Sequence, residues 1–128
     1  MQYVYFFGAQ AEQFSFYRIP KALFTEPNFR ELSTDAKVLY GILLDRMSLS
    51  LKNQWLDAQN KVYIIFTVEE IMDALNCANQ KATRLMVELE KQAGLIERKR
   101  QGLGRPNLIY VKNFAATIND KSCEKGDS

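Results

Sequence analysis

The order of periodic segments along this 128-residue chain predicts an α+β fold, and three observations carry the prediction. A long stretch after Ser33 repeats apolar residues at helical spacing. Two shorter helical patterns, almost without a gap, follow a β-rich stretch. The chain then gives two β-compatible runs around a glycine-rich, basic tip. Helix, strand, short helix, helix, hairpin is the order of a winged helix-turn-helix.

Each element has a local reason. Tyr3-Val4-Tyr5-Phe6-Phe7 and residues 14–19 have strand character, so the expected winged helix carries additional N-terminal strands. Pro20 can open a helical turn over residues 21–24, which Pro27 stops. Ser33 is a good N-cap, with Asp35 in the first turn where the helix dipole favours a carboxylate. Ala36, Leu39, Tyr40, Leu43, Leu44 and Met47 then form the stripe of a first long helix over 34 to about 51. Residues 54–56 and 62–66 read as a hairpin with a heavily buried second strand. Thr67 and Glu70 make the T-x-x-E capping box of a short second helix, with Val68, Ile71, Met72 and Leu75 on one face. Ala78, Ala82, Leu85, Met86, Leu89 and Ala93 mark a third helix, closed by Gly94. The runs 95–100 and 108–112 form the final hairpin.

A hydrophobic share of 47% suits one ordinary core at this length. The expected organisation is a winged-helix domain over residues 1–114. Residues 115–128, polar and without an apolar period, are expected as a flexible tail or linker towards a C-terminal domain that this chain lacks. No run approaches the roughly 20 apolar residues of a membrane span and the start lacks a secretory pattern, so a cytoplasmic protein without membrane contact is expected. Cys77 and Cys123 lie far apart and histidine is absent, which suggests two free thiols and neither a metal site nor a disulfide framework. Without histidine, a G-x-S-x-G, a Walker A pattern or a dinucleotide fingerprint, no enzyme and no cofactor is expected.

The net charge of +2 says little, but its distribution is informative. Residues 78–112 hold eight Lys or Arg against three acids, a balance of +5; the other nine basic and twelve acidic residues leave −3. Such a segment places a positive field on one part of the molecule, the footprint of a phosphate-binding face. Facing away from the apolar stripe of the third helix are Asn79, Gln80, Lys81, Thr83, Arg84, Glu88 and Lys91. Asn and Gln suit adenine edges, Arg suits guanine, and Lys and Thr suit phosphates; Arg84 is the best candidate for base readout. On the hairpin, Arg98, Lys99, Arg100, Gln101 and Arg105 form a basic wing, where Gly102 and Gly104 permit the turn. A solvated charged face is the bland alternative; the two basic elements side by side favour double-stranded DNA.

The stretches FYRIPKALF, LSTDAKVLYGILLDRMSLS, VYIIFTVEEIMDALNC and KATRLMVELEKQAGLIERKRQGLGRPNLIYVKNF, within a match that runs from about Phe14 to Phe114, resemble the RepA_N family of plasmid replication initiators from low-GC Gram-positive bacteria. The resemblance implies origin recognition: binding to repeats (iterons) in a plasmid origin through this domain, with host replication proteins recruited through a separate C-terminal domain. It places the family's recognition helix on Asn79, Gln80, Lys81, Thr83 and Arg84, and its wing on Arg98, Lys99, Arg100, Gln101 and Arg105. Ala78 departs from it, since a serine-like cap is expected there. A winged-helix transcriptional regulator acting at an operator is the alternative, because one fold serves both roles. A module binding an acidic protein is another, and a nicking enzyme lacks the metal ligands it would need. Tyr3, Tyr5, Phe6 and Phe7 form too large an apolar run to leave in water, which predicts a homodimer through the N-terminal segment.

Overall fold

Caps and apolar spacing set most of the observed elements. The computed structural model describes residues 2–8 and 13–115. A single helical turn, α1 (Ala22–Thr25), and a 3₁₀ turn (Pro27–Phe29) precede the long helix α2 (Thr34–Lys52). Ser33 caps α2, its Oγ accepting from the Ala36 N–H at 3.2 Å. Ala36, Leu39, Tyr40 and Leu43 are buried along the expected stripe. At Gly41 the absence of a side chain lets the incoming chain lie against α2. A Cβ there would sit 2.8 Å from Ile19 Cγ1 and 3.0 Å from the Arg18 carbonyl oxygen.

Helix α3 (Val68–Leu75) starts with both halves of its capping box: the Glu70 N–H donates to Thr67 Oγ1 at 3.2 Å, and the Thr67 N–H donates to Glu70 Oε1 at 3.0 Å. It ends at Asn76 in the left-handed region, φ 51°. After one turn the chain enters α4 (Asn79–Val87), with Ala78 as an N-cap that makes no side-chain bond. The helix then widens into a π turn (Glu88–Gln92), closed by the Ala93 N–H donating to the Glu88 carbonyl at 3.0 Å. Gly94, at φ 67°, reverses the chain into β1 (Ile96–Lys99), which pairs antiparallel with β2 (Leu108–Val111). Ile64 joins the other side of β2 through an isolated bridge to Ile109, with both N–H···O bonds at 2.9 Å.

Every element contributes to one core: Leu23 from α1, Leu43 from α2, Ile71 from α3, Leu85 from α4, and Ile96 and Ile109 from the sheet. Tyr40 threads through it, its hydroxyl donating to the Lys112 carbonyl at 2.8 Å, and burial pushes that phenol up to about 12. The end of β2 is thereby tied to α2.

Two expectations need correction. Residues 2–8 and 14–19 form no strand, so the additional N-terminal strands are not part of the described fold. Aromatic strand propensity needs a ladder partner, and the only sheet among the described residues does not reach them. Instead Tyr3, Tyr5 and Phe7 stand 71–85% exposed, and Phe14 meets Phe6 and Phe16 edge to face. The hairpin over 54–66 is reduced to one bridge, Leu56 to Val62. Its turn is held by Asp57, whose Oδ1 accepts from the Lys61 and Gln59 N–H groups at 2.9 Å. The Lys61 bond above all, against the opposing effect of desolvation, keeps that carboxyl below its usual range. Cys77 is a half-buried free thiol. The expected tail and Cys123 lie outside the described residues, apart from Ala115. Among the described residues no helix is long and apolar enough to cross a membrane.

Candidate nucleic-acid interface

Helix α4 buries Ala82, Leu85 and Met86, so its period turns the other side outward. Asn79, Gln80, Thr83 and Arg84 are exposed there, spread over about 7.5 Å at 1.5 Å per residue. Lys81, at the edge of that face, is half-buried, and its Nζ lies 2.7 Å from Asp35 Oδ2 in the first turn of α2. Five predicted residues are thus brought together, but one of them already has a carboxylate partner.

The wing divides in the same way. Lys99, Arg100, Gln101 and Arg105 are exposed at its end, where Gln101 Nε2 donates to the Pro106 carbonyl at 2.8 Å across the turn. Leu103 stands fully exposed between Gly102 (φ 123°) and Gly104 (φ 77°). Arg98 points the other way, with Ile96, and its Nη2 lies 2.7 Å from Glu90 Oε1. Beside it a cleft of about 290 Å³ opens between α3 and the wing, lined by Ile71, Met86, Arg98 and Arg105. Among the described residues, Arg84, Lys99, Arg100 and Arg105 have no ion-pair partner. Of the basic residues predicted for the site, they are the ones left free for a ligand's phosphates.

Three carboxylates matter that sequence reasoning gave no role in orienting this face. Glu88, expected on the outward face, is buried: its Oε2 accepts from Ser33 Oγ at 2.9 Å and its Oε1 from the Ser33 N–H. Glu88 still makes the α-helical bond to the Arg84 carbonyl and lies two turns from Lys81, on the flank that α2 covers, while Leu89 enters the core and Glu90 reaches β1. Asp35 and Glu90 are the other two. Desolvation pushes the Glu90 carboxyl up, but hydrogen bonds and charge from Arg98 outweigh it and hold it below its usual range.

A helix-turn-helix pair followed by a two-stranded basic wing defines a winged-helix domain, with the second helix of the pair and the wing tip open to solvent. Residues 15–125 match the family described as the N-terminus of replication initiator protein A, and the chain belongs to that family. A "41 kDa protein" of Lactobacillus helveticus is 32% identical over 103 residues, covering 80% of this chain and 28% of its own length. The chain therefore spans little more than a quarter of that relative. Among solved structures, an "N-Terminal domain of DNA binding protein" is 36% identical with a TM-score of 0.72, covering 99% of this chain and 98% of its own. A "Structure of Rep-DNA complex" gives 36% and 0.72 over 98% of both chains. A "Structure of MDR initiator" gives 38% and 0.67 over 92% of this chain and 98% of its own.

Proposed function

We propose that this domain binds double-stranded DNA at repeats in a plasmid replication origin and so initiates plasmid replication in the cytoplasm. The observation that carries the reading is the pairing of an exposed Asn/Gln/Thr/Arg face on α4 with an exposed cluster of unpaired cations on the wing. In this reading α4 enters the major groove, with Asn79, Gln80, Thr83 and Arg84 at base edges or phosphates. Lys99, Arg100, Gln101 and Arg105 hold the backbone or an adjacent minor groove. Similarity over nearly the whole chain to the structure described as a Rep-DNA complex supports it. The domain performs no catalytic step and needs no cofactor: its work is recognition.

The exposed N-terminal aromatics mediate a homodimer in the same reading, and a further domain meets host replication proteins. Burying such rings removes apolar surface worth roughly 25 cal/mol per Å² before the costs of association. The test of function is protection mapping across plasmid DNA. Protection of origin repeats, with affinity falling steeply between low and physiological salt, is the expected result. Protection confined to a promoter operator would make the domain a transcriptional regulator, and salt-independent binding would remove the phosphate-contact argument.

A further inference from the structure

The wing meets the end of the recognition helix at one ion pair. Glu90 Oε1 accepts from Arg98 Nε at 3.0 Å and from Nη2 at 2.7 Å, and Glu90 Oε2 accepts from the Arg98 backbone N–H at 3.3 Å. Both side chains are mostly buried, 18% and 25% exposed. The backbone bond has a topological cause. Ile109, opposite Arg98, directs its own N–H and C=O to Ile64, so the Arg98–Ile109 pair exchanges no ladder bonds. The Arg98 N–H therefore points to the free edge of β1, and Glu90 satisfies it.

We infer that Glu90 and Arg98 are positioning residues that fix the angle between the wing and the recognition helix, and that Arg98 acts through Glu90 and not through contact with DNA. The inference rests on the DNA-binding reading above. A guanidinium held by a largely buried carboxylate would have to break a charge-assisted fork to reach a phosphate. Lys99, Arg100 and Arg105 reach solvent with no such step. Glu88, two residues earlier and so on the opposite side of the helix, fastens the same turn of chain to Ser33. The recognition helix is thus attached to α2 and to the wing through residues two apart.

Glu90→Gln in the 128-residue chain tests this by the sign of its effect on a duplex cut from the protected region. Removing a negative charge beside a DNA-facing surface, and releasing Arg98, tightens binding if Arg98 is a phosphate contact. A loosened wing weakens binding. The expected result is a loss of about tenfold, the equivalent of 1.4 kcal/mol. Arg98→Gln is expected to lose as much while keeping the salt slope, whereas a lost phosphate contact lowers that slope by about 0.9. The double variant loses no more than either single one, and Arg98→Lys, which keeps the charge without the fork, does not rescue. A DNA-independent readout accompanies these: amide exchange accelerates at residues 96–99 in Glu90→Gln while the amides of α2 keep their protection. Tighter or unchanged binding by Glu90→Gln, or a slope reduced by about one unit in Arg98→Gln, would overturn the inference. Should the parent chain bind no duplex, the proposed function fails and exchange alone decides: acceleration at 96–99 supports the latch, and unchanged protection refutes it.

Discussion

Replacing Ser33 by Ala tests how the recognition helix is attached to the rest of the domain. The Ser33 hydroxyl accepts from the Ala36 N–H at 3.2 Å as the cap of α2 and donates to Glu88 Oε2 at 2.9 Å. Loss of the cap costs about 1 kcal/mol. Loss of a hydrogen bond to a charged, buried acceptor costs about 1.5–3 kcal/mol. The Glu88 carboxylate keeps the Ser33 backbone N–H, which stays in the variant, so the combined loss is expected at about 2–4 kcal/mol. A thermal midpoint lower by about 10–20 °C follows for a domain of this size. Urea denaturation at constant m-value is the assay, with two controls. Ser33→Thr keeps both bonds and stays near the parent. Ser33→Asp keeps a good cap but sets a second carboxylate against Glu88, so it is destabilised despite the cap. An Ala variant within about 0.5 kcal/mol of the parent, or an Asp variant as stable as the parent, would refute the dual role of the hydroxyl.

Other outcomes follow from the same geometry. Arg84→Ala should relax discrimination between sites as well as cost about 1–3 kcal/mol, whereas Arg105→Ala should weaken all duplexes alike and lower the salt slope by about 0.9; site selection and salt titration check both. Asp35→Asn releases Lys81, so binding should tighten and the salt slope should rise, while stability falls by no more than about 1 kcal/mol because both side chains stay about half open to solvent. Gly41→Ala gains about 1 kcal/mol in helix propensity but drives a methyl into Ile19 and the Arg18 carbonyl; a lower melting temperature is expected, and a raised one would show that the incoming segment yields easily. The lowered carboxyl of Glu90 contributes stability that is present above the usual glutamate value of about 4.3 and is lost as pH falls through the folded-state value. Acid titration of stability should therefore show a shallower loss below that pH in Glu90→Gln.

The helices were legible because each carries its own boundary signal. Ser33, the Thr67/Glu70 box and Gly94 mark ends without reference to distant residues, and burial then follows the apolar spacing. The N-terminal strands were misread because Tyr and Phe report a preference that only a neighbouring strand can realise, and the sheet meets Ile64 instead. The exposed face of α4 was readable from its period up to Val87. Glu88 reads as solvated because nothing local shows that α2 covers the flank it shares with Lys81, and it is in fact buried against a residue 55 positions earlier. Arg98 looked equivalent to Lys99 and Arg100 in a basic run. Strand alternation could have separated it from Lys99, but it gives Arg100 the same parity, and nothing local identifies Glu90 as its partner.

The bare position at Gly41 also decides how forces pass through the molecule. The segment leading in from the exposed aromatic arm rests on the middle of α2, while the start of α2 grips α4 through Ser33–Glu88 and Asp35–Lys81. Residues 33 and 41 on one helix are about 12 Å apart along a stiff rod. A load on the arm at Ile19 is thus carried to the face of α4 by a short lever without a hinge between them. A partner that gripped the chain at Arg18 and Ile19 would therefore press on the middle of α2, one short span of helix from the contacts that hold α4.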